Sequence, residues 1–142
     1  MPRFKSWTPP EIEHGKLTKW NWMVQYPEGL TLGKFTDIGA FTYINAKYGV
    51  VIEDYVQIGS HVSIYSESTI DNKNGRIVIK RNARIGSHSV IMPGVIIGEN
   101  AIIGAFSFVN KDIPPNTVAF GVPVKVVRKL TEKELEELMK GI

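Results

Sequence analysis

The chain has 142 residues, 43% of them hydrophobic, enough for one domain with its own core and not the composition of a disordered chain. It has no cysteine, which excludes a disulfide framework, a thiolate metal site and a cysteine nucleophile. The net charge of +3 is spread along the chain rather than massed in a run, which argues against a nucleic-acid partner.

Residues 1–29 contain Trp7, Trp20, Trp22 and Tyr26, and Pro9, Pro10 and Pro27 make them irregular; they read as a cover for the open end of a repeat region that begins at Leu30. The opening stretch has no apolar run of signal-peptide length, and no segment approaches the roughly 18 apolar residues of a membrane helix. A cytoplasmic location and no membrane partner are the expectation.

From Leu30 aliphatic residues recur six apart: Leu32, Ile38, Ile44; Ile52, Ile58, Ile64; Ile79, Ile85, Ile91; Ile97, Ile103, Val109. Two residues before each stands a mostly small or β-branched side chain, such as Thr36, Val56, Ala83 or Ser107. A helix does not keep this register, nor does a long strand; a short strand and a tight turn per hexad do, and three hexads close one coil of a triangular solenoid. The spacing predicts an all-β fold, a parallel β-helix of four to five coils over 30–118. The register slips between Ile44 and Ile52 and between Ile64 and Ile79, both at the same corner, so a loop is expected over 65–78.

The tetrapeptide IGSH occurs at 58–61 and again at 85–88. With the nine-residue insertion taken out, the two lie one coil apart and stack on one face. The column reads IGAF (38–41), IGSH, IGSH, IGAF (103–106), so Phe41, His61, His88 and Phe106 are expected in one vertical row, with neighbouring coils about 4.8 Å apart. Their slot points outward. With Tyr43, Tyr55 and Phe108 the row makes an apolar outer surface of the kind that marks subunit contacts, so an oligomer is expected. Beyond a tail at 119–130, residues 131–142 predict a helix: Thr131 and Glu134 form a capping box, and Leu135, Leu138 and Met139 one apolar stripe. The whole, 1–142, reads as a single domain.

The segment IGSHSVIMPGVIIGENAIIGAFSFVNKDIPPNTVAFGVPVKVVRK (85–129) closely resembles the hexapeptide-repeat acetyltransferases, particularly the galactoside, maltose and nucleotide-sugar enzymes. The resemblance extends through the hexads back to about residue 30. It implies a left-handed parallel β-helix, a homotrimer with active sites between subunits, and acetyl-CoA as co-substrate with no metal. It further implies coenzyme contacts at Ser87, Ala105, Asn110, Lys111, Lys125 and Arg128 along the C-terminal coils and the tail. Small side chains at Ser87 and Ala105 suit a pantetheine arm lying along the coil, and Lys125 and Arg128 suit phosphates. Two positions depart from the family pattern: Phe106 stands where Gly is common, and Val124 where Ala is usual.

Acyl transfer needs a base for the acceptor and donors for the developing oxyanion. The place of the galactoside enzymes' catalytic histidine falls at about Thr69, in a loop here without histidine. Three routes stay open: His61 as base, which we favour; His88; or an amine acceptor whose proton passes to the departing thiolate. Asp71 and Asn72, with Lys73 and Asn74, are candidates for holding the acceptor, a sugar or nucleotide-linked amino sugar. Two other readings have less support. One is a non-catalytic β-helix scaffold; the other is a γ-type carbonic anhydrase, whose three-histidine zinc site this chain with three histidines could hardly assemble.

Overall fold

Each hexad of the sequence becomes one strand and one turn, and the inward aliphatics of successive coils stack on one another. The computed structural model describes residues 4–140 and 142 and winds them into a parallel solenoid of about five turns with three flat faces. The first face contains Met23–Gln25, Tyr43–Asn45, Ser63–Tyr65, Val90–Ile91 and Phe108–Val109. The second contains Leu30–Leu32, Val50–Ile52, Ile77–Ile79 and Ile96–Ile97. The third runs from Asp37–Ile38 through Gln57–Ile58, Arg84–Ile85 and Ile102–Ile103 to Thr117–Phe120.

The register is the one read from the sequence. Ile38 pairs with Ile58, Ile58 with Ile85 and Ile85 with Ile103; Ile44 pairs with Ile64, Ile64 with Ile91 and Ile91 with Val109. These residues are buried, and isoleucines of the hexad columns dominate the largest fully buried side chains. Each such burial contributes about 1.5–3 kcal/mol. Small residues fill the corners because strands meet there, and their hydroxyls satisfy carbonyls: Ser107 Oγ donates to Gly104 O at 2.7 Å and Thr42 Oγ1 to Gly59 O at 3.0 Å.

Both register slips fall at the corner between the first and second faces. The larger one is a hairpin in which Glu67–Ser68 pairs antiparallel with Lys73–Asn74. The coils also extend beyond 30–118. Met23–Gln25 pairs in parallel with Tyr43–Asn45, so part of the expected cover already belongs to the first coil. At the other end Thr117–Phe120 completes the last one, and Lys125–Lys129 returns antiparallel along it.

The helix spans Glu132–Met139, and its capping box is formed on both sides: Glu134 N donates to Thr131 Oγ1 at 3.1 Å, and Thr131 N to Glu134 Oε1 at 3.0 Å. It packs beside a ladder of left-handed asparagines at the corner of the second and third faces. Asn82 Nδ2 donates to Asn100 Oδ1 at 2.8 Å, Asn100 Nδ2 to Asn116 Oδ1 at 3.0 Å, and Asn82 Nδ2 also to Leu138 O at 3.1 Å. The carbonyl of Leu138, near the helix end, is thereby satisfied.

Candidate active site

The corner between the third and first faces carries the ring column. His61 and His88 lie face to face, centroids 4.7 Å apart and planes 3° from parallel; Phe106 stacks on His88 at 4.8 Å, and Phe41 lies tilted under His61 at 5.3 Å. All four occupy left-handed backbone, with φ of 57° to 64°, a conformation that costs a non-glycine residue about 1–2 kcal/mol. Coil-to-coil hydrogen bonds hold the ladder at this spacing: His61 N donates to Ala40 O at 3.0 Å, His88 N to Ser60 O at 3.1 Å and Phe106 N to Ser87 O at 3.0 Å. Ring stacking offsets part of the backbone cost. Both imidazoles are exposed, so a ring nitrogen of each can reach a bound molecule.

One residue back along each coil stand Ala40, Ser60, Ser87 and Ala105, and one further back the glycines Gly39, Gly59, Gly86 and Gly104. These glycines are required by proximity. A Cβ on Gly59 would lie 2.7 Å from Ser87 N, and one on Gly86 would lie 2.4 Å from Ala105 N. The result is a strip without bulky side chains on the third face. An open groove of about 380 Å³ lies over its lower part, with Gly39, Gly59, Gly86 and Ser60 among its walls. Ser87 and Ala105 continue the strip upward beside His88 and Phe106.

At the upper end, Asn110 and Lys111 are exposed just after Phe108–Val109, and Lys125 and Arg128 are exposed on the returning strand. Arg128 is already engaged: Nη1 donates to Glu134 Oε1 at 2.7 Å and Nη2 to Glu134 Oε2 at 3.0 Å, while Nη1 also approaches Lys129 O at 3.3 Å. The hydrogen bond from Arg128, and after it that from Thr131 N, hold the Glu134 carboxyl down to about 2.

A second cleft, of about 530 Å³, opens at the other edge of the first face, where the hairpin leaves the solenoid. Its aromatic walls are Tyr26, Tyr43, Tyr65 and Phe108, and its polar ones include Gln25, Asn45, Glu67 and Asp71. Tyr43 Oη donates to Gln25 Oε1 at 2.5 Å, and burial pushes the Tyr43 phenol above its ordinary value. Asp71 is held below its ordinary value first by a hydrogen bond from Ser68, and Lys73 Nζ sits 3.5 Å from it. Lys47 pairs with Glu67 at 3.3 Å. Aromatic faces beside amides and carboxylates suit a polyhydroxylated ring, which offers C–H faces to the rings and hydroxyls to the polar groups.

The structure therefore sorts the sequence candidates into separate places. His61, His88, Ser87 and Ala105 share one corner; Lys125 and Arg128 share the end strand; Asp71 lines the hairpin cleft. Asn72 is at the hairpin turn with φ of 54° and is not among the cleft's walls, nor is either histidine. Gln25, Asn45, Tyr65 and Glu67 are not singled out by the sequence alone, and Tyr43 stands there only as outer surface. Their signal was the outward slots of the first face next to the insertion. The third histidine, His14, accepts from Tyr26 N through Nδ1 at 2.9 Å. Among the described residues no group of three His, Asp or Glu side chains is placed to hold a metal ion, and no helix is long and apolar enough to cross a membrane.

Comparison with known proteins supports the fold. Residues 76–111 match the bacterial transferase hexapeptide (six repeats) family. The galactoside O-acetyltransferase of Escherichia coli K12 is 40% identical over 129 residues, which cover 80% of this chain and 64% of that enzyme. The dTDP-4-amino-4,6-dideoxy-D-glucose acyltransferase of Escherichia coli is 32% identical over 124 residues, 76% of this chain and 65% of that enzyme. Among solved structures, a hexapeptide-repeat acetyltransferase of Vibrio cholerae complexed with acetyl coenzyme A matches with a TM-score of 0.72 at 27% identity, over 78% of this chain and 66% of that one. The chain is thus similar to hexapeptide-repeat acyltransferases over about four fifths of its length, and residues 76–111 carry the family's repeats. It spans a little under two thirds of the length of these two Escherichia coli relatives.

Proposed function

We propose that the protein transfers an acetyl group from acetyl-CoA to a hydroxyl or amino group of a sugar, including sugars linked to a nucleotide. The observation that carries the reading is the exposed His61–His88 stack beside the side-chain-poor strip of Ser87 and Ala105. An extended pantetheine arm fits such a strip, since its amides meet backbone and its chain meets no bulky side chain. The relatives support the same chemistry: their names are those of sugar acyltransferases, and the Vibrio cholerae structure holds acetyl coenzyme A.

In this reading the acceptor O–H or N–H loses its proton to a ring nitrogen of His61 as the oxygen or nitrogen attacks the thioester carbonyl. Backbone N–H groups and the second imidazole are the nearby donors for the resulting oxyanion. The tetrahedral intermediate collapses by breaking the C–S bond, and the proton passes from His61 to the coenzyme thiolate. Lys125 and Arg128, with Asn110 and Lys111 close to the upper coil, take the nucleotide end of the coenzyme. The hairpin cleft with Asp71 takes the acceptor. It lies at the opposite edge of the first face from the histidines, so a complete site draws the ring column from one copy and the cleft from another, as a homotrimer allows. A cytoplasmic location fits a supply of acetyl-CoA.

The test is turnover of His61→Ala and His88→Ala. Loss of a general base lowers turnover by about 10²–10⁴-fold. His61→Ala is expected in that range with a smaller loss for His88→Ala; a loss under about fivefold for His61→Ala removes it from the role.

A further inference from the structure

The donors of Arg128 point to a role for the residue that grips it from the C-terminal helix. A guanidinium has five N–H bonds. Glu134 takes one from Nη1 and one from Nη2, at 2.7 and 3.0 Å, and Lys129 O lies 3.3 Å from Nη1. No hydrogen bond from Nε or from the second Nη2 hydrogen is formed to any described residue. Those two hydrogens are parallel and make the side-on edge of the guanidinium, which matches two oxygens of a phosphate. Arg128 and Glu134 remain 50% and 36% exposed, so the pair lies at the surface, where a ligand can approach.

Glu134 is itself fixed. Its Oε1 accepts from Thr131 N at 3.0 Å, its own N donates to Thr131 Oγ1 at 3.1 Å, and it sits in the first turn of the helix Glu132–Met139. The strand Lys125–Lys129 is held in turn by pairing with Thr117–Phe120. An arginine on a free strand would lose much side-chain freedom on gripping a phosphate; this one has already lost it. Lys125 and Lys129 on the same strand add positive charge, which Glu134 only partly offsets.

We infer that Glu134 is a positioning residue for phosphate binding: the capped C-terminal helix aims Arg128 so that its Nε–Nη2 edge receives a phosphate of the coenzyme. The inference rests on the coenzyme reading proposed above. It assigns the helix a task in the site rather than that of a cover alone. Glu134 contributes orientation and touches no ligand.

The experiment measures the dissociation constant of CoA by calorimetry for the wild-type chain, Arg128→Gln, Glu134→Gln and the double variant, with helix content followed by circular dichroism. Glu134→Gln keeps an oxygen that can accept from Thr131 N, so the cap persists while the charged fork is lost. Expected are binding weakened about 5–10-fold in each single variant, and no further weakening when Glu134→Gln is added to Arg128→Gln. Unchanged affinity in Glu134→Gln, or the same added loss in the Arg128→Gln background, overturns the positioning role. Tighter binding in Glu134→Gln also overturns it, since Glu134 would then compete with phosphate. If the wild-type chain itself does not bind CoA, the coenzyme reading fails first, a result distinct from the other three.

Discussion

Gly86→Ala adds one methyl group at the place where two coils come closest, and its effect can be worked out from the structure. The added Cβ would lie 2.4 Å from Ala105 N, 2.7 Å from Ala105 Cα and 2.7 Å from Gly104 C, against about 3.4 Å for an ordinary contact. All three are backbone atoms and cannot rotate aside. Relief requires the coils to part by about 1 Å, which would stretch the Gly86 N to Ile103 O and Phe106 N to Ser87 O hydrogen bonds, now 2.8 and 3.0 Å. Overpacking costs about 1–3 kcal/mol and each weakened bond about 0.5–1.5 kcal/mol, while the stiffer unfolded chain returns about 0.4–1 kcal/mol. The net is about 3 kcal/mol, or about 12 °C in the melting midpoint for a domain of this size. Thermal unfolding followed by circular dichroism at matched protein concentration reads it. Gly94→Ala is the control: it has φ of 81° but no atom within 4 Å, so only backbone strain of about 1 kcal/mol applies. A Gly86→Ala midpoint within about 2 °C of the wild type would refute the close-stacking argument.

Truncating a core column residue, Ile79→Ala, is expected to cost about 2–5 kcal/mol by denaturant titration, because the side chain is fully buried between paired coils. Asp71→Asn is expected to raise the acceptor KM about 10-fold with a smaller change in kcat, since a carboxylate held ionised by Ser68 is replaced by a neutral amide; steady-state kinetics over acceptor concentration checks it. Glu134 has a folded value near 2, below its ordinary 4.5, so its ionised cap is at full strength above pH 4.5 and is lost as pH falls toward 2. The difference in thermal midpoint between the wild type and Glu134→Gln, which reads the charged fork to Arg128, should therefore be constant from pH 5 to 8 and shrink only below 4.5.

Much of the fold was legible because burial enforces a period. Every coil must present Ile or Val to the same narrow interior, so the six-residue column from Ile38 to Val109 states the register, and the two slips state where loops leave. The same counting places His61 over His88. Met23–Gln25 was not legible as a strand: only Val24 enters the core beneath Ile44, and one residue makes no period. The cleft was less legible still. Gln25, Tyr43, Tyr65 and Asp71 come from different coils and an insertion, and no spacing in the chain records that they meet. The Arg128–Glu134 fork escaped for a related reason, since the short stretch between them crosses from a strand to a helix whose relative placement no local pattern fixes. A capping box explained Glu134 fully and left no residual to question.

The most direct test of the account is release of free coenzyme A thiol from acetyl-CoA, offered to sugar alcohols, amino sugars and nucleotide-linked amino sugars. A chain without cysteine adds no thiol background. Acceptor-dependent thiol release is expected, and His61→Ala reduces it by about 10²-fold or more when the acceptor is a hydroxyl. Absence of turnover across the panel, together with no binding of acetyl-CoA, would contradict it.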